Sequence, residues 1–169
     1  MTDSMLGDAF GHHVWATLRV IDACIALSPK QLETAVPGTY GSILATVRHV
    51  VGGDAWYLET LTQNRVPGID EDQMDLPDLR AAMERNGTTW TEVLAEDPDP
   101  DTVYMARGSD GFETHAPVSI RLAQALHHGT DHRSQICTAL TTLGVEPPAI
   151  DVWDYGMQNG RVTDISPAS

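Results

Sequence analysis

His128 and His132, four residues apart in the stretch LHHGTDHRSQI, are the side chains of this sequence best suited to chemistry. On a helix, a separation of four stacks two imidazoles one turn apart on the same side. Such a pair is half of a transition-metal site and needs a third donor from another element. The pair alone is a weak motif, because seven histidines in 169 residues readily place two of them four apart. A single histidine on an apolar face is more often satisfied by backbone or hydroxyl partners than by a metal.

The element that must carry the pair runs from Ser119 to Leu143. Its apolar residues Leu122, Ala125, Leu126, Ile136, Ala139, Leu140 and Leu143 recur at steps of three and four, the period of a helix with one face buried. His128 and His132 are expected in the middle of that face.

Three further amphipathic segments precede it. The first spans about Asp8 to Leu27, with Phe10, Val14, Leu18, Ile21 and Ile25 as its stripe, and Ser28-Pro29 ends it. His12 and His13 lie in its first turns and read as surface or end-of-bundle histidines. The second is capped by Thr39 or Ser42 and runs to about Thr62 on Ile43, Val47, Val50, Val51, Leu58 and Leu61. His49 sits at the border of that stripe. Gly52-Gly53 in mid-helix costs about 1 kcal/mol per residue against alanine, tolerable where a neighbouring helix approaches closely or a site beside His49 needs room. Asp54, one turn on, reads either as a carboxylate that orients a ligand histidine or as a surface acid.

The acidic stretch Arg65 to Asp78 reads as a loop or lid. A third helix starts near Leu76 or Pro77 and buries Leu79, Met83, Trp90, Val93 and Leu94, until Asp97-Pro98-Asp99-Pro100 stops it. Thr102–Ala106 and Phe112–Ala116 alternate in character around the turn formers Arg107 to Gly111, which predicts a small β-hairpin. Gly144 is a natural helix stop, Asp151 to Arg161 forms a short helix, and Asp164 to Ser169 frays. The fold class is therefore all-α, a single domain over residues 1–169 built as an up-and-down four-helix bundle with a hairpin before its last long helix. If the second and fourth long helices lie side by side, His49 meets His128 and His132.

Composition narrows the partners. A formal charge of −14 with scattered Lys and Arg disfavours nucleic acid, whose phosphates need a basic surface, and an anionic membrane. No apolar run approaches the roughly 20 residues that span a bilayer. Cys24 and Cys137 are flanked by apolar residues and read as small buried hydrophobes, with no disulfide framework. The N-terminus has neither the basic nor the apolar region of a signal peptide. A cytoplasmic protein with a small-molecule substrate is expected.

Three pieces of the sequence together resemble the DinB/YfiT-like superfamily over nearly the whole chain. They are SILATVRHVVGGDAWYL (Ser42 to Leu58) with its single histidine, LHHGTDHRSQI (Leu126 to Ile136), similar to a pattern H-x-x-x-H-R-x-Q-I, and LGVEPPAIDVWDY (Leu143 to Tyr155). The resemblance implies an up-and-down four-helix bundle, often a homodimer, in which His49, His128 and His132 bind a divalent metal such as zinc or nickel, with His127 beside the site. It further implies a metal-dependent S-transferase or isomerase that uses a low-molecular-weight thiol such as mycothiol, bacillithiol or glutathione. Tyr57 and Arg133 are then candidate cofactor-binding residues, and Asp54 and Asp131 further contacts; the alternative for Arg133 is to pair with a carboxylate inside the bundle. A non-catalytic metal- or ligand-binding stress-response bundle and a metal-dependent hydrolase are the alternatives.

Overall fold

Short polar side chains decide where the long helices begin. In the computed structural model, which describes residues 4–63, 66–108 and 110–165, Ser4 Oγ accepts the Gly7 N–H at 3.0 Å and opens α1 (Met5–Ile25). Ser42 opens α3 (Ile43–Thr62) by accepting from Ala45, and Asp75 opens α4 (Leu76–Ala95) by accepting from Asp78. Each oxygen satisfies an amide that lacks a partner within its own helix. Thr39 caps nothing; its hydroxyl closes the preceding turn on the Val36 carbonyl. Between α1 and α3 the chain adds one helical turn, α2 (Pro29–Leu32), held by a Ser28/Gln31 capping box.

After α4 come the paired strands β1 (Val103–Arg107) and β2 (Glu113–Pro117), antiparallel, with Val103 opposite Pro117 and Arg107 opposite Glu113. The longest helix, α5 (Val118–Thr142), follows without a side-chain cap. Its first amides instead donate to the carbonyls of Thr102 and Pro100, each at 3.0 Å. The Arg121 guanidinium reaches back from α5 to the carbonyls of Tyr104 and Thr114 and ties both strands to it. Gly144, with a left-handed φ of 74°, ends the helix while the Val145 amide returns to the Leu140 carbonyl. A short α6 (Val152–Gln158) closes the described chain.

The bundle consists of α1, α3, α4 and α5, with α1 against α4 and α5, and α3 against α4 and α5. Its core is filled by Phe10, Ile21, Leu58, Leu79, Met83, Trp90 and Leu140, all fully buried. The all-α bundle and the hairpin are as expected from sequence; the helix directions refine the up-and-down reading. Trp90 touches Phe10 while Arg80 touches Asp22, so α1 and α4 are antiparallel. Along α3 and α4, Val51 meets Asn86 and Asp54 meets Trp90, so these two run the same way. The order is up, down, down, up. The connection from Gln63 to Asp75 makes it possible: such a chain reaches about 40 Å when extended, more than the ~30 Å of a 20-residue helix.

Arg65 in the acidic loop, Ser109 in the hairpin turn and residues 166–169 of the tail lie outside the described residues. Among the described residues no helix is long and apolar enough to cross a membrane.

Candidate metal centre

Because α3 and α5 are neighbours and antiparallel, His49 comes to face the pair His128 and His132. One ligand atom from each of the three lies within 4.8 Å of the other two. Nε2 of His49 and Nε2 of His128 are 3.1 Å apart. Two nitrogens sharing one tetrahedral zinc at 2.0–2.1 Å would be about 3.4 Å apart, so this pair stands near the separation of two ligands of one metal, with His132 within 4.8 Å of both.

The histidines do not occupy the middle of the buried face of α5. That place is taken by Gly129 and Arg133, both buried, and His128 and His132 are half-buried at its edge. At 100° per residue a shift of one position turns the side chain by more than a quarter turn, and the apolar stripe alone does not fix its centre. The edge is the better place for a site, since it leaves a path to solvent.

The surroundings hold the imidazoles in orientation. Nδ1 of His132 is 3.0 Å from Gln135 Oε1; an amide oxygen only accepts, so Nδ1 carries the proton and Nε2 is left as a ligand atom. The same oxygen accepts the Tyr40 amide at 2.9 Å. Tyr40, 54% exposed, lays its ring flat on His49 at 4.0 Å between centroids and edge-on to His132 at 5.5 Å. Nδ1 of His49 faces the Glu71 carboxylate, 3.8 Å away.

The glycine pair in α3 makes the approach possible. A Cβ on Gly53 would come within 2.6 Å of His128 Cε1, and one on Gly52 would overlap the Glu71 carboxylate. Of the two reasons that would justify glycines in mid-helix, room for a site beside His49 is the one realised here.

Burial, reinforced by the other two imidazoles, pushes the pKa of His128 down to about 4. His49 is lowered as well, first by burial and then by His132, with Glu71 opposing. Both rings are therefore neutral at pH 7, the state a metal requires of them.

The sequence model of the DinB family matches residues 1–162, a span that contains the bundle, the hairpin and all three histidines. The chain belongs to the DinB family. No curated protein matches it.

The other candidate residues of this DinB chain divide between the site and the core. Tyr57 is at the site: its buried ring stands perpendicular to His128 at 5.9 Å. Arg133 is not brought there. Only 3% exposed, it turns into the bundle and donates to Thr17 Oγ1 at 3.0 Å and Thr130 Oγ1 at 3.1 Å. Its Nη1 also lies 3.1 Å from His13 Nδ1. A guanidinium only donates, so Nδ1 of His13 accepts and its Nε2–H donates to Asp54 Oδ1 at 2.9 Å. Trp90 Nε1 donates to the other Asp54 oxygen at 2.8 Å.

Asp54 is thus neither a surface acid nor the partner of a ligand histidine. At 2% exposure, with His13 at 1%, it is the centre of a buried chain Trp90–Asp54–His13–Arg133 that joins all four long helices. His13, expected at the surface or a bundle end, is a core residue. His12 is half-buried and bonds the Ile150 carbonyl at 2.7 Å. His127 and Asp131 are exposed, and His127 lines a groove with Leu6, Pro98 and Leu122, apart from the cluster.

Tyr40 and Glu71 belong to none of the sequence motifs, and Gln135 stands in one only as the glutamine of the H-x-x-x-H-R-x-Q-I pattern, without a role. Gln135 had a signal, lying one helical turn after His132. Tyr40 and Glu71 arrive from loops, where periodicity carries no information.

Proposed function

We propose that this protein is a divalent-metal-dependent enzyme, with zinc or nickel held by His49, His128 and His132, and that its reaction is thiol-dependent S-transfer. The observation that carries the reading is the convergence of three imidazole ligand atoms within 4.8 Å of one another at an edge open to solvent. Three neutral protein ligands are the donor set of catalytic and not structural zinc. When bound, such a metal is a Lewis acid that favours a small thiol in its thiolate form.

The chain's own residues do the rest. The three imidazoles bind, Gln135 holds the proton on Nδ1 of His132, and Tyr40 and Tyr57 wall the site with aromatic surface. An open groove of about 760 Å³ between Trp56, Glu59 and Thr60 on α3 and the strand β1 is lined by none of the three histidines. Burial raises the pKa of both thiols of the chain; by analogy with the family, the reacting sulfur is that of a low-molecular-weight thiol such as mycothiol or bacillithiol. A hydrolase would need a base beside bound water, and Glu71 faces Nδ1 of His49 instead of Nε2. Homodimerisation and a cytoplasmic location belong to the same proposal.

The test is metal content of tag-free protein together with turnover of a low-molecular-weight thiol and an alkylating electrophile. About one zinc or nickel per chain is expected, lost in His49→Ala, His132→Ala and Gly53→Ala, with turnover lost in parallel. Metal uptake without turnover on any thiol would leave a non-catalytic binder, and protein that takes up neither metal would refute the proposal.

A further inference from the structure

We propose that Glu71 is a positioning residue for this site: entering the notch left by Gly52, its carboxylate holds the His49 ring with Nε2 turned toward His128 and His132. The inference rests on the metal reading above and extends it to the acidic loop.

Three observations converge. Glu71 Oε2 stands 3.8 Å from Nδ1 of His49, the nitrogen opposite the one that meets His128. The nearest heavy atoms to a Cβ built on Gly52 are all from the Glu71 side chain, its Oε1, Cδ and Cγ. The helix therefore lacks a side chain at the one place the carboxylate occupies, in mid-helix where glycine is otherwise unfavourable. Lastly, His132 has its outer nitrogen held at hydrogen-bond distance, with Gln135 Oε1 at 3.0 Å from its Nδ1, where Glu71 faces His49 at the longer distance of an ion pair. Two of three imidazoles thus have an oxygen facing the outer nitrogen, and Tyr40 covers the face of His49.

An oxygen on the outer nitrogen fixes the tautomer and the ring orientation, and a carboxylate there also raises the basicity of the ligand nitrogen. Glu71 differs from Gln135 in two ways. It is charged, and it stands on the loop between α3 and α4 instead of on the ligand's own helix. The grip of the site on its metal then depends on where that loop lies.

Zinc affinity measured by chelator competition on the full chain tests this, using wild type, Glu71→Ala, Glu71→Gln and Gly52→Ala. Glu71→Ala removes both oxygens, while Glu71→Gln keeps an oxygen for the ring and removes only the charge. Gly52→Ala keeps Glu71 but fills the notch, and the nearest atoms it meets belong to that flexible side chain. Glu71→Ala and Gly52→Ala should bind zinc about 10- to 100-fold more weakly, with shifted ligand-field absorption in their cobalt-loaded forms, and Glu71→Gln should recover part of that loss. In metal-free form Glu71→Ala should melt with wild type, and Gly52→Ala no lower. Zinc affinity of Glu71→Ala within twofold of wild type overturns the inference alone. So does a weaker affinity accompanied by a matching drop in metal-free melting temperature, which marks a merely structural role. Wild type that takes up no zinc overturns both this and the metal reading.

Discussion

Replacing Asp54 by alanine should be the most damaging single substitution in the buried network. The carboxylate accepts from Trp90 Nε1 and His13 Nε2 and balances the charge of Arg133 through His13. All of these groups are shielded from water, and burial holds the Arg133 pKa down to about 10, so it remains charged at neutral pH. Removing Asp54 leaves two buried donors unsatisfied, at about 1–3 kcal/mol each. It also strands a buried cation, and breaking such a pair typically costs about 3–5 kcal/mol. These figures describe overlapping losses and do not add; a net destabilisation of about 4 kcal/mol is expected. With a urea slope of roughly 2 kcal/mol/M for a domain of this size, the midpoint should fall by about 2 M. Equilibrium urea unfolding followed by tryptophan fluorescence measures this. Trp90→Phe, which removes one donor and leaves the carboxylate, should cost about 1–2 kcal/mol, and combining the two substitutions should cost less than their sum. An Asp54→Ala midpoint within about 0.5 M of wild type would refute the network as a structural element.

Two further outcomes follow from the side-chain environments. The folded pKa values of His128 and His49 lie below the ordinary 6.5, so on acidification the unfolded chain takes up protons that the native one does not. Their contribution to the stability of metal-free protein is therefore complete above about pH 6.5 and is lost as pH falls toward the folded value of about 4 for His128; thermal melts across that window should show the decline, and His128→Gln should flatten it. Burial pushes the Cys24 thiol up to about 12, so a thiol-reactive disulfide reagent at pH 8 should leave Cys24 unlabelled in native protein and label it after unfolding; rapid native labelling would contradict its placement.

Much of this molecule could be read from apolar spacing, and the failures share a cause. The four long helices, the hairpin and the stop at Gly144 followed from period and punctuation, to within a few residues. The single turn α2 is too short to have a period. The three ligand candidates were legible because two share a helix and the third stands alone in α3. His13 was misplaced although its position was readable: Phe10, His13, Val14, Thr17, Ile21 and Cys24 form one continuous stripe, all buried. A polar residue on such a stripe points to a buried partner, and the natural partners, Asp54 and Arg133, occupy the same kind of position in α3 and α5. Of the two readings of Arg133, a cofactor contact and a partner for a carboxylate inside the bundle, the structure realises the second, with His13 between it and Asp54. Sequence neighbours on a helix point about 100° apart, and here that angle separates the site from the core. Helix direction was not legible, because it depends on the path of a loop that has no period.

That angle between His132 and Arg133 has a mechanical consequence. On one side α5 presents two ligand nitrogens; on the adjoining side the next residue is locked into Asp54 by way of His13, and Gly129 lets the His13 ring lie directly against the helix. The helix is keyed like a shaft in a slotted hub. Rolling it to spread or pinch the histidines would drag Arg133 off its partners and drive the helix backbone into His13. The placement of His128 and His132 is therefore set by the bundle before any ion arrives. A metal entering here would find two ligands on a fixed mount, and adjustment to its preferred separations would fall to the His49 ring and the loop that faces it.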